Sequence, residues 1–367
     1  MDTFAFIIHP INPKGDVARK YPLLGRALSE RQIDFFSSFF PPVYISEIEG
    51  ITSRATGKQV RGWFIACPYT PRRMLELSEA RVYRKLVQTG RLAEKLGAQI
   101  LGLGAYTSVV GDAGLTVADQ LDIPVTTGDS YTIAVAVQAV RRAAALMELE
   151  LGGAAAAVVG ATGAIGRVCA ELLADEVAEL YLVGRRQGPL EHLRERLEFT
   201  SPARLHTGTS MEVLSHADVI ITVTSALDDV VRPQDLRPGS IVCDVARPRD
   251  VSAMVAAARD DILVLDGGIV DVPGPVDFHF DFGFPPGKAY ACMAETFALA
   301  LEGRFEDYTV GKEISRAQVE EISAIAEKHG FGLSGFRSFE REVTPEHIDR
   351  VRRAARRIHR QHAAVTI

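Results

Sequence analysis

The chain has 367 residues, 47% hydrophobic and 24% charged, with 47 acidic against 41 basic side chains and a net charge of −6. That composition belongs to a globular protein of about two domains, and its negative balance excludes a general nucleic-acid coat. No apolar run approaches the roughly 20 residues of a membrane span, and the acidic start Met1-Asp2-Thr3 lacks a signal peptide's basic flank, so a cytoplasmic location is expected.

Residues 4–8 read as a strand, and 43–51 with 59–66 as a hairpin-like pair. Thr70 and Pro71 supply a helix cap and a first-turn proline before a long helical pattern carried by Leu75, Val82, Leu86, Leu92 and Leu96. A strand at 100–103, a loop rich in Gly, Thr and Ser, and an alanine-rich helix from about 130 to 148 follow. Beyond Leu151-Gly152-Gly153 the pattern changes. Strands at 154–159, 179–183, 217–224, 240–245 and 261–265 alternate with helical or loop segments, the first a helix at 165–175. Such alternation predicts a parallel sheet covered on both faces. Helices are expected at 288–302, ending at Gly303, and at 315–329 and 345–361. The predicted class is α/β: an N-terminal α/β substrate domain over 1–150, a Rossmann-type doubly wound parallel sheet over 151–286, and C-terminal helices over 287–367 that pack back on the substrate domain. No internal repeat or low-complexity tract interrupts this order.

The strongest local motif is Gly160-Ala161-Thr162-Gly163-Ala164-Ile165-Gly166, between a predicted strand and a predicted helix. Gly160 permits the tight turn, Gly163 lets backbone approach a pyrophosphate, and Gly166 lets the helix pack on the strand. The helix start then offers unpaired amides to phosphate. The second strand ends in Arg185 and Arg186 without an acid. An acid there serves a ribose hydroxyl, whereas arginine suits a 2′-phosphate, so NADP(H) is expected. Topology assigns Val223, Thr224 and Ser225 after the fourth strand, and Gly267 and Gly268 after the last, to the nicotinamide side.

Four cysteines, Cys67, Cys169, Cys243 and Cys292, lack metal-type spacing, and no metal site is expected. Cys292 falls near the start of a predicted helix, four residues after Lys288. A helix N-terminus and a neighbouring base both favour thiolate, the nucleophilic form; equally, a free cysteine in an alanine-rich helix packs as a small hydrophobe. The other three read as structural. Thr107, Ser108, Thr127 and Ser130 lie in polar loops that could present donors to an oxyanion, or could serve only as turn residues.

The combined set resembles the cyanobacterial long-chain acyl-[acyl-carrier-protein] reductases, which form fatty aldehydes. The matching pieces are Phe6-Ile7-Ile8-His9, Ser53-Arg54-Ala55-Thr56-Gly57, Gly104-Ala105-Tyr106-Thr107-Ser108-Val109 and Thr126-Thr127-Gly128. They continue with 158–166, Asp266-Gly267-Gly268-Ile269-Val270, Ala291-Cys292-Met293-Ala294-Glu295 and Leu301-Glu302-Gly303, so the likeness runs over roughly 1–330. It implies an NADPH-dependent reduction of an acyl thioester, carried by acyl carrier protein or coenzyme A, through a nucleophile at Cys292. The arginine-rich helix after Pro345 and several loop residues within 271–286 depart from the family pattern.

Two segments are locally basic. From Arg72 to Lys95 seven bases face three acids, and the last helix carries Arg350, Arg352, Arg353, Arg356, Arg357 and Arg360. Either could steer an acidic carrier, touch an anionic membrane surface, or simply be solvated. Oligomeric state is not legible. Competing readings are a shikimate- or amino-acid-type dehydrogenase without covalent catalysis, a relative of glutamyl-tRNA reductase, suggested by 243–250, and a non-enzymatic NADP-binding regulator.

Overall fold

Continuous apolar strands need cover on both faces, and the chain provides it between residues 155 and 266. In this computed structural model, which describes residues 1–339 and 341–365, six strands form one parallel sheet. Its order is Leu263–Asp266, Ile241–Asp244, Val219–Thr222, Ala155–Val159, Glu179–Val183 and Arg204–Gly208. Chain order reverses between Val219–Thr222 and Ala155–Val159, which makes the carboxyl ends of those two strands the switch point of a Rossmann-type sheet. Val159, Val183, Ile220, Val242 and Val264 belong to a core whose members are at most 4% exposed. The strand Arg204–Gly208 was not expected. It is an edge strand with polar, partly exposed side chains, so it lacks the apolar run that marks its neighbours.

The chain divides into two compact units, Met1–Thr132 with Ile269–Ser334, and Ile133–Gly268 with the segment from Gly335 onward. The divisions therefore fall within the helix Asp129–Leu146 and after Gly268 rather than at 150 and 286, and the segment expected as one piece from 287 is shared. Sequence patterning marks where secondary structure changes. It does not mark the middle of a continuous helix.

The first unit holds a five-stranded sheet in the order Val43–Thr52, Gln59–Ala66, Asp2–Ile8, Leu101–Gly102 and Val125–Thr126. The first pair is antiparallel, as the hairpin-like pattern predicts, and the rest are parallel. Three short helices, Pro13–Lys20, Pro22–Ala27 and Glu30–Ser37, precede the hairpin. The cap Thr70 does accept from the Arg73 amide, but its helix Pro71–Glu76 is short. Leu77 is extended, and Ser78 starts a separate helix, Glu79–Leu96, which ends at left-handed Gly97.

The helix expected at 288–302 begins three residues later, as Ala291–Glu302. Lys288–Tyr290 is instead the edge of a small antiparallel sheet, paired with Ile269–Asp271, which also pairs Gly332–Leu333. Lys288 lies directly opposite Asp271 and its Nζ bonds that carboxylate at 2.7 Å. A cross-strand ion pair of this kind favours strand over helix. Among the described residues no helix is long and apolar enough to cross a membrane.

Candidate active site

In the second unit the strand Ala155–Val159 runs into Gly160 at φ +87°, a conformation L side chains rarely adopt. A Cβ there would stand 2.5 Å from the Val223 carbonyl oxygen, and one on Gly166 would stand 2.2 Å from that of Gly160. Only glycine allows this strand, turn and helix to pack so closely. Gly163 opens the helix Ala164–Ala174 without a side-chain cap, and Thr162 and Gly163 are exposed. The amides of Ala164, Ile165 and Gly166 thus begin a helix whose N-terminus is open, a site suited to phosphate. Arg185 and Arg186 follow the neighbouring strand, are exposed, and make no ion pair among the described residues. The donor set therefore fits a dinucleotide bearing a further phosphate on its ribose.

Beyond the next strand, Thr224 is held by Asp250, which accepts from its amide at 2.8 Å and its hydroxyl at 2.5 Å. Burial lifts that carboxyl to about 6. Val223 donates its amide to Val159, and Gly267 donates to the Asp244 carbonyl. Val223, Thr224, Gly267 and Gly268 thus lie at strand ends of this sheet, as topology predicts, and Ser225 follows them directly.

In the first unit Cys292 is the second residue of the helix Ala291–Glu302, and of the four cysteines it alone is not fully buried. Its backbone lies against Gly128, at φ +78°, where a Cβ would come within 2.3 Å of the Cys292 Cα. Gly104 flanks the sulfur, since its Cβ would stand 3.5 Å from Sγ. The next residue after Gly128 is Asp129, a carboxyl only 7% exposed. Burial, then repulsion from Glu295, push Asp129 up to about 8. Glu295, one turn along from the cysteine, is fully buried and raised to about 7, mainly by burial. It accepts from the Thr126 hydroxyl at 2.5 Å, the Tyr131 amide at 2.8 Å and the Thr309 hydroxyl at 3.0 Å. One carboxylate thereby ties the cysteine helix to the loop that carries Gly128.

The expectation that Lys288 and the helix start favour thiolate does not hold. Lys288 is turned to Asp271 and to the Ser334 hydroxyl, and burial, followed by the Asp129 charge, pushes the Cys292 thiol up to about 12. The amides of Met293 and of Cys292 itself pull in the opposite direction and lose. The other three thiols are fully buried, and burial is the main cause that raises each.

The four candidate donors lie in the walls of this region, with their hydroxyls already used. Thr107 donates to the Gly104 carbonyl at 2.8 Å and Ser108 to that of Ala105 at 2.8 Å. Thr127 donates to the Thr309 carbonyl at 2.5 Å, and Ser130 pairs with the Thr309 hydroxyl at 2.8 Å. All are at most 3% exposed. Only Thr127 lies in a loop as expected; Thr107 and Ser108 sit in the short helix Tyr106–Val109 and Ser130 in the first turn of Asp129–Leu146, and none of the four offers a free hydroxyl proton. Sequence reasoning quoted Glu295 without giving it a role and passed over Asp129; the signal for both was a carboxyl beside a glycine or cysteine in the matching segments.

Aromatic rings approach the cysteine helix in a run. Phe278 meets Phe282 at 5.1 Å, Phe282 meets Phe284 at 5.6 Å, and Phe284 meets Tyr290 at 4.5 Å. Tyr290 is the N-cap of that helix. Lys58 is held by structural contacts: its Nζ bonds Asp2 and the carbonyls of Ala300 and Leu301.

Of the basic segments, the last helix is largely self-satisfied. Arg352 pairs with Glu148 and Asp349, Arg356 with Glu148, and Arg350 with Asp260. The Arg360 side chain lies outside the described residues. On Glu79–Leu96, Arg81, Arg84 and Lys95 are exposed and make no ion pair among the described residues. Arg84 and Lys95 border a groove of about 500 Å³ with Tyr83 and Gln120.

Comparison with known proteins follows this division. The model of the shikimate / quinate 5-dehydrogenase family matches residues 141–265, which lie in the second unit. The aminotransferase PigE of Serratia sp. (strain ATCC 39006) is 30% identical over 366 residues, covering 95% of this chain but 42% of PigE, so the chain spans less than half the length of that relative. Among solved structures, L-tryptophan dehydrogenase from Nostoc punctiforme superposes with a TM-score of 0.41 at 13% identity, over 89% of this chain and 80% of that one. The long-chain acyl-[acyl-carrier-protein] reductase of Synechococcus elongatus (strain ATCC 33912 / PCC 7942 / FACHB-805) is 30% identical over 318 residues, 83% of this chain and 90% of the reductase. Aligned over nearly the whole of that reductase, the chain belongs to its family.

Proposed function

We propose that the protein is an NADPH-dependent acyl-thioester reductase that releases a long-chain aldehyde through an acyl-enzyme on Cys292. The observation that carries this reading is the setting of the cysteine. It is the one thiol not fully buried, it opens a helix, and its backbone is seated on Gly128 with the Asp129 carboxyl next along the chain. The aromatic run ending at Tyr290 suits an aliphatic acyl chain.

At neutral pH the thiol carries its proton, so attack requires a base. Asp129, raised to about 8 and so ionised in only a minority of molecules at neutral pH, takes the Sγ proton in its carboxylate form as the sulfur bonds to the acyl carbon. The thioester C–S bond breaks, and the departing thiolate of the carrier or coenzyme A receives that proton. The acyl group then rests on Cys292. Gly160–Gly166 with Arg185 and Arg186 would hold NADPH, which when bound supplies hydride chemistry for the acyl group. Release of the aldehyde breaks the Sγ–C bond, and a solvent proton restores the thiol. Glu295 holds the 126–131 loop on the cysteine helix throughout.

Intact-mass measurement after incubation with acyl carrier protein or coenzyme A thioesters, without NADPH, tests this directly. The expected result is a gain of one acyl group, mapping to Cys292 and absent from Cys292→Ser, with NADPH binding retained in that variant. An adduct at Cys67, or turnover by Cys292→Ser, overturns the mechanism. Cofactor binding with no adduct from any thioester favours a dehydrogenase or a regulator.

A further inference from the structure

The first unit carries a concentration of exposed apolar side chains that the active site does not use. Of the fifteen large hydrophobic residues exposed among the described residues, eight fall between Tyr21 and Tyr44. Leu23 is 80% exposed and Phe39 71%, with Phe35, Phe36 and Phe40 between 42% and 55%. The rings are assembled into a cluster, since Phe35 stacks edge-on with Phe36 and tilted with Phe39, both at 5.4 Å. A contiguous patch of this kind on a folded protein marks a contact surface.

Its framework is built deliberately. The helix Glu30–Ser37 starts in a capping box, with Ser29 and Gln32 satisfying each other's backbone amides. Only Ile33 and Ser37 of that helix are buried, so its phenylalanines are presented outward by a helix whose inner face is small. The segment is fastened to the basic helices beside it. Thr70 donates to Asp34 at 2.6 Å, Arg73 to the Ser38 hydroxyl at 2.9 Å, and Lys85 to the Phe40 carbonyl at 2.8 Å.

The charge around the patch selects its partner. Between residues 13 and 44 there are five bases (Lys14, Arg19, Lys20, Arg26, Arg31) and three acids (Asp16, Glu30, Asp34), a local charge of 5 − 3 = +2 on a chain of −6. Asp16 and Asp34 are each near an arginine, Arg19 and Arg72, while Arg26 and Arg31 are exposed without an ion pair among the described residues. Exposed phenylalanine, leucine and tyrosine side chains in a segment that also carries exposed arginines without an ion pair among the described residues are the chemistry of an interfacial contact with anionic lipid. An acidic carrier protein would use the arginines but leave the phenylalanines in water, and a second copy of this chain would bring the same positive segment against itself.

We infer that the Phe35, Phe36 and Phe39 cluster, with the exposed Leu23, Phe40, Arg26 and Arg31 of the same segment, seats the protein on the surface of an anionic bilayer. The inference does not depend on the reaction assigned to Cys292. Its test is cosedimentation of the full chain with phosphatidylglycerol-containing and pure phosphatidylcholine vesicles at low and high salt. Binding is expected to the anionic vesicles and to weaken with salt. Phe35→Ser with Phe39→Ser should reduce the bound fraction at least about tenfold at either salt. Arg26→Glu with Arg31→Glu should remove the preference for anionic lipid. All four side chains are exposed, and unchanged melting temperatures would show that the fold is kept. Failure of the unmodified protein to sediment with anionic vesicles overturns the inference. So does a phenylalanine variant that binds vesicles normally but loses self-association, or loses affinity for an acidic carrier protein.

Discussion

Replacing Gly128 by alanine separates two costs that the structure assigns to one position. The first is conformational: at φ +78° a Cβ strains the backbone, which costs about 1 kcal/mol. The second is overlap, because the new Cβ would lie 2.3 Å from the Cys292 Cα, 2.4 Å from its Cβ and 2.6 Å from its carbonyl oxygen. Those atoms belong to the first turn of a helix buried along nearly its whole length, so relief requires moving that turn, at an overpacking cost of about 1–3 kcal/mol. Gly57 provides the control, with φ +71° and nothing within 4 Å of its added Cβ. Urea unfolding should therefore show Gly128→Ala losing about 2–4 kcal/mol and Gly57→Ala about 1 kcal/mol. Acylation of Cys292, followed by mass under single-turnover conditions, should slow at least about tenfold in Gly128→Ala, because misplacement by a fraction of an ångström is enough. NADPH binding should be unchanged, since its residues lie in the other unit. Equal stability losses in the two variants, or normal acylation in Gly128→Ala, would refute the argument that this glycine seats the nucleophile.

Substituting both Arg185 and Arg186 by alanine should weaken selection of NADPH over NADH, and equal kcat/KM with the two cofactors in the unmodified protein would contradict the phosphate-pairing role. Charge reversal at Arg81 and Arg84 should raise KM for an acyl-carrier substrate severalfold at low salt, less for acyl-coenzyme A, and the difference should vanish as salt rises; identical effects on both substrates would dismiss carrier steering. Glu295 has a folded-state carboxyl raised to about 7 from 4.5, so the stability present below pH 4.5 is lost as pH rises through 7, by about 3 kcal/mol in all. Glu295→Gln should flatten that fall in urea titrations between pH 5 and pH 8, and an unchanged slope would show that the carboxyl does not titrate there.

The sheet was legible because burial on both faces leaves uninterrupted apolar runs: Val219–Thr222 and Ile241–Asp244 lie inside the predicted strands. Gly160 was legible for a related reason, since a positive φ at the strand end and a Cβ that would stand 2.5 Å from the Val223 carbonyl oxygen permit little but glycine. What was missed has identifiable causes. The helices at 13–37 carry clear local signals, Asn12 before Pro13 and Ser29 paired with Gln32, but their phenylalanines face outward and give no inward stripe. Lys288 was misplaced because Pro286 and Gly287 resemble a helix start, whereas the pairing partner that makes 288–290 a strand lies at 269–271, too distant in sequence to be read locally. Of the four hydroxyls expected in loops, only Thr127 lies in one: Thr107 and Ser108 sit in the short helix Tyr106–Val109 and Ser130 in the first turn of Asp129–Leu146. The bonds of Thr127 and Ser130 to Thr309 depend on tertiary folding, which one sequence does not display, whereas those of Thr107 and Ser108 are made to carbonyls three residues back.

The correction at Cys292 changes the character of the proposed chemistry. A resting thiolate would be supported by a lysine and a helix dipole, and would react whenever an electrophile arrived. The carboxyls that act on this thiol are themselves raised, Asp129 to about 8 by burial and by Glu295, and Glu295 to about 7 mainly by burial. Moving a proton from a thiol near 12 to a carboxylate near 8 is uphill by several kcal/mol if it happens alone. It becomes affordable when the same step bonds sulfur to the acyl carbon and passes the negative charge to a departing thiolate that solvent or its carrier can receive. In the proposed mechanism the cysteine stays neutral and poorly nucleophilic until a thioester occupies the site. Asp129 would then contribute by position more than by basicity: it directly follows Gly128, which lies against the Cys292 backbone, and any change that loosens that seat should cost acylation before it costs folding.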